Sequence, residues 1–89
     1  MANADKNTSF RIVGQTSIII EETQRWIADV QRSIKYHEMR IDECELLEDS
    51  KEYHVEKLAG CKAIVSFLQE KLNNAEQIRQ TFLMQAMEQ

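Results

Sequence analysis

Isoleucine returns every seventh residue at Ile20, Ile27, Ile34 and Ile41, and no other feature narrows the possible folds of this chain so far. Seven residues make close to two helical turns, so this spacing returns each side chain to one face and gives a helix a single buried seam. Offset by three stand Thr23, Val30, His37 and Cys44, completing an a/d pattern in which a is β-branched and d is small or polar. A chain built this way predicts an all-α protein.

The pattern stops at Glu48, the next a position, inside the polar run Glu48-Asp49-Ser50-Lys51-Glu52, and resumes beyond it in a new frame. Leu58, Val65 and Leu72 then take a, while Cys61, Leu68, Ala75 and Phe82 take d. Folding the chain at Lys51 turns these two half-patterns into facing layers, among them His37 with Val65, Ile34 with Leu68 and Ile20 with Phe82, whereas a straight rod would leave Glu48 and Lys51 on the seam. The expectation is an antiparallel, coiled-coil-like two-helix hairpin over residues 9–89. Helix 1 is expected over about 10–48, a turn at about 49–51 and helix 2 over about 52–88. Residues 1–8 read as an N-terminal arm, with Thr8 or Ser9 capping the first helix. A later start at Thr16 or Ser17 competes, with Gly14 then outside the helix. In the early start Gly14 falls on the outward b position, where it costs about 1 kcal/mol and clashes with nothing.

Composition fits one helical domain and little else: no proline, two glycines, 43% hydrophobic and 29% charged residues in an 89-residue chain. A net charge of −4 lacks the concentrated basic face that a nucleic-acid binder needs. The longest isoleucine run, Ile18-Ile19-Ile20, is far short of the roughly 18 apolar residues that span a bilayer. With no secretory layout near the N-terminus, the chain reads as cytoplasmic, and Cys44 and Cys61 as reduced thiols that fill space.

Apolar residues left over after the seam is filled fall mainly at g and the adjoining c positions. Ile19, Trp26, Tyr36, Gly60, Ile64, Phe67 and Ile78 mark this flank, Gly60 because a backbone without a Cβ allows close approach. A chain this short buries a modest fraction of its surface, so the flank predicts self-association of two hairpins into a four-helix bundle. The competing expectation is that the N-terminal arm folds over it. Met39 and Leu46, on the outward f positions, and Met84 and Met87 in the C-terminal tail are candidate contacts for a further protein.

Catalytic and metal chemistry find no foothold in the spacing. His37 and Cys44 are seven apart, as are His54 and Cys61, and a separation of about 10 Å along a helix keeps either pair from sharing one zinc ion. His37 reads as a packed core histidine, with a pH-sensitive interface as the alternative, and His54 as facing water. No cofactor, metal or enzymatic activity is expected. The predicted function is that of a non-enzymatic protein-interaction module, an adaptor, chaperone or inhibitor acting as a homodimer on an unidentified protein. The alternative is a small-molecule or nucleotide binder with a pocket between protomers lined by Trp26, Tyr36, Arg40 or Lys71.

Overall fold

The computed structural model describes residues 5–43 and 48–88, and all of these except Asp5 lie in two helices, α1 (Lys6–Glu43) and α2 (Glu48–Glu88). The two pack against each other as a hairpin, as the interrupted heptad pattern predicts. The chain divides into two compact units, each built from a stretch of both helices: a terminal unit, Met1–Gln24 with Glu70–Gln89, and a central unit, Arg25–Gln69.

Helix α1 starts earlier than either expected cap. The Asp5 carboxylate accepts the Thr8 amide at 2.8 Å and the Thr8 hydroxyl at 3.0 Å, and the Asp5 carbonyl accepts the Ser9 amide at 2.8 Å. An aspartate that satisfies an amide left over in the first turn is a strong helix start, so Thr8 and Ser9 lie inside the helix and the expected arm 1–8 loses residues 6–8 to it. The Thr8 amide, and then its hydroxyl, hold the Asp5 carboxyl below the usual carboxylate range. Gly14 is helical and exposed, and a Cβ built there meets nothing within 4 Å, in keeping with an outward position. At the other end of α1, Arg40 Nη1 donates to Glu43 Oε2 at 3.0 Å.

The junction also differs from expectation. Residues 49–51 belong to α2, which opens at Glu48, and the connection falls on 44–47, outside the described residues. The polar run that reads as a turn is equally the composition of a helix's opening, where acidic residues are favoured by the exposed amides of the first turn.

The seam residues themselves are where the spacing puts them. In α1 Ser9, Val13, Thr16, Ile20, Thr23, Ile27, Val30, Ile34, His37 and Ile41 are all buried or half-buried, and in α2 so are His54, Leu58, Cys61, Val65, Leu68, Leu72, Ala75, Arg79, Phe82 and Ala86. What changes is the pairing. In the central unit His37 meets His54 instead of Val65, and in the terminal unit Arg79 Nη1 donates to Ser17 Oγ at 3.5 Å. A heptad pattern is indifferent to slides that keep a and d positions on the seam, so the spacing alone does not choose among such pairings. Ser9 and Ala86 are both 0% exposed.

Candidate functional site

Two features of the hairpin carry chemistry: an apolar flank and a pair of histidines. All seven flank residues named by the sequence are exposed. Ile19 and Ile78 are so placed in the terminal unit, and Trp26, Tyr36, Gly60, Ile64 and Phe67 in the central unit. Trp26 and Phe67 leave 56% and 59% of their surface open. Helical spacing explains the clustering. Ile19 and Trp26 are seven apart on α1, while Gly60, Ile64 and Phe67 follow at intervals of four and three on α2 and share one face. Tyr53, seven residues before Gly60, extends that face and is also exposed. A Cβ built on Gly60 meets nothing within 4 Å, so the backbone there is open to an approaching surface.

In the terminal unit α2 carries an open groove lined by Asn74, Gln77, Ile78, Thr81 and Phe82. Thr81 donates its hydroxyl to the Gln77 carbonyl at 3.0 Å, so the Asn74 and Gln77 amides are the donors the groove offers, with the Thr81 oxygen still able to accept. Of the outward candidates, Met39, Met84 and Met87 are exposed, and Leu46 lies outside the described residues. Phe10, Ile18 and Val55 are also exposed apolar residues, at e or f positions, and are not among the contacts expected from the sequence.

The histidines correct the sequence expectation. His54 is buried on the seam, 7% exposed, instead of facing water. Because α2 begins at Glu48, His54 is already well inside the helix, at the d position one heptad before Cys61. Its Nδ1 lies 2.8 Å from His37 Nδ1. Two neutral imidazoles make this contact when one carries its proton on Nδ1 and donates it to the bare Nδ1 of the other. The Tyr36 ring stands edge-on to both histidines, at centroid distances of 5.1 Å and 5.9 Å, and Tyr53 stands edge-on to His54 at 5.2 Å. Burial first, then the charges of His37 and Arg40, push the His54 imidazole below the ordinary histidine range. Spacing along one helix cannot show this pair, because the two residues come from different helices.

Cys61 is a half-buried free thiol, and the question of a bridge to Cys44 lies outside the described residues. Among the described residues no three histidine, cysteine, aspartate or glutamate side chains converge as metal ligands, and no helix is long and apolar enough to cross a membrane. Compared with protein-family models, curated proteins and solved structures, the chain matches none of them.

Proposed function

We propose that this chain is a non-enzymatic protein-interaction module that pairs with a second copy of itself through the g/c flank, forming a four-helix bundle. One observation carries the reading. Among the described residues thirteen large apolar side chains are exposed while six apolar side chains are fully buried, so a single hairpin leaves much greasy surface in water. Two helices form one layer, and a helical domain gains its stability by closing a second layer over the first. Exposed apolar residues scattered singly need no explanation, but a set aligned at heptad spacing is a patch. A two-fold dimer uses that patch twice and needs no other sequence to complement it.

The aromatic part of the flank, Trp26, Tyr36, Tyr53 and Phe67, belongs to the central unit, which makes that unit the core of the pairing surface. Met39 in the central unit, and separately Met84 and Met87 in the terminal unit, are the contacts offered to a further protein, since unbranched thioether side chains adapt to a partner's shape. Trp26→Glu tests the pairing. Trp26 is 56% exposed and tolerates the charge in the single hairpin, so helicity by circular dichroism stays at the parent level while the sedimenting mass falls from that of two chains to that of one. Parent and variant sedimenting alike would remove this flank from the interface. A thermal-shift screen with nucleotides separates the small-molecule alternative: a concentration-dependent rise in melting temperature would favour it.

A further inference from the structure

We infer that the His37–His54 pair is a proton-operated latch on the central unit, tolerant of one added proton and opened by the second. The geometry comes first. At 2.8 Å between Nδ1 atoms, one proton must lie between the rings, donated by one nitrogen and accepted by the other. Adding a proton elsewhere on the pair leaves an imidazolium donating to a neutral imidazole, which is a stronger hydrogen bond than the neutral one. A second proton removes the acceptor and sets two cations face to face, so the rings must separate.

Among the described residues, no carboxylate is bonded to either ring to absorb that second charge. From α1 it is faced by Tyr36 and by Arg40, a cation whose Nη1 is bonded to Glu43. From α2 it is faced by Tyr53, over whose ring Lys57 places its Nζ at 5.6 Å. The ion pairs of the described residues, Arg32 with Asp29 and Arg40 with Glu43, involve neither histidine. The tyrosine edges pack the rings without offering a carboxylate.

The latch matters because the described core of its unit is small. Among the described residues of the central unit the other buried side chains are Ile27 and Leu68, while Val30, Ile34, Ile41, Leu58 and Val65 are half-buried. The linkage has a definite sign. A histidine held below its ordinary value in the folded chain contributes stability that is complete above about pH 6.5 and is lost as the pH falls through its folded value. Acid therefore loosens the central unit. The inference stands whether or not the hairpin pairs with a second copy.

The chain has two histidines, and both are in this pair. Histidine is the side chain whose ordinary value lies between about pH 5 and pH 7, so a change in that window reports on the latch. Urea unfolding at pH 7 and pH 5 compares the parent with His37→Asn, whose amide can still donate to His54 Nδ1 but cannot take up a proton. The expected result is a fall in the parent's urea midpoint on acidification that the variant shows to a smaller degree or not at all. An imidazole NMR titration of the parent needs no variant and is expected to show two coupled steps, the second displaced to lower pH. Equal pH dependence in parent and variant, or two independent titrations at the ordinary histidine value, would overturn the latch.

Discussion

The terminal and central units use the same heptad frame and fill it differently. In the terminal unit six seam residues are buried, and four of them are small: Ser9, Thr16, Ala75 and Ala86, beside Ile20 and Leu72. In the central unit the seam carries larger side chains, yet only Ile27, Leu68 and His54 are buried among the described residues. Small residues let two helices approach closely and shut the seam between them. In the central unit the branched seam residues Val30, Ile34, Ile41, Leu58 and Val65 stay half-buried. The unit with the more apolar seam is thus the less closed one, and it is also the one whose flank carries four exposed aromatics. That combination is what a hairpin awaiting a second layer should show.

Leucine-to-alanine substitutions in each unit would break or sharpen this contrast most strongly. Leu72→Ala removes a buried side chain of the terminal unit and is expected to cost about 3 kcal/mol in urea unfolding, the usual range for a filled site that cannot collapse. Leu58→Ala, at a half-buried seam position of the central unit, is expected to cost about half as much, roughly 1.5 kcal/mol. Equal losses would mean that the two seams are equally closed.

Ser9→Ala probes the tight seam from the other direction. Among the described residues the buried Ser9 hydroxyl has no hydrogen-bond partner, so its removal is expected to stabilise the chain by about 1 kcal/mol, seen as a higher urea midpoint. Thr16 is the contrasting case, because its hydroxyl donates to the Ile12 and Val13 carbonyls at 2.7 Å and 3.1 Å and carries no such penalty.

The two glycines compare the outer surfaces of the units. Gly14→Ala and Gly60→Ala are each expected to raise single-chain stability by up to about 1 kcal/mol, since both sites are helical and open. Gly60→Ala is further expected to weaken self-association, while Gly14→Ala leaves it unchanged; sedimentation of the two variants side by side checks this. The smallest effect belongs to the cap. Asp5→Ala is expected to fray the start of α1 and lower helicity slightly. Because the Asp5 carboxyl is held below its ordinary value, its contribution is present above that value and disappears as the pH falls through the lowered one.

Much of this architecture is legible in the sequence, and what is not legible has a physical cause. Ile20, Ile27, Leu68 and Leu72 announce the seam by spacing alone, and the exposed flank from Ile19 to Ile78 follows by subtraction. The pairing does not follow, because a heptad pattern is compatible with more than one alignment of its a and d positions, and the acidic run at Glu48 signals a helix opening as well as a turn. The His37–His54 contact is hidden for the same reason. Asp5 is missed because a short polar segment before a helix reads as an arm until its carboxylate is seen to accept the Thr8 amide.

Sedimentation equilibrium of the unmodified chain, carried from low to high micromolar concentration at neutral pH, addresses the flank most directly. The exposed aromatics of the central unit predict a mass that rises to that of two chains and stops there. A mass that stays at one chain throughout would contradict pairing through this surface.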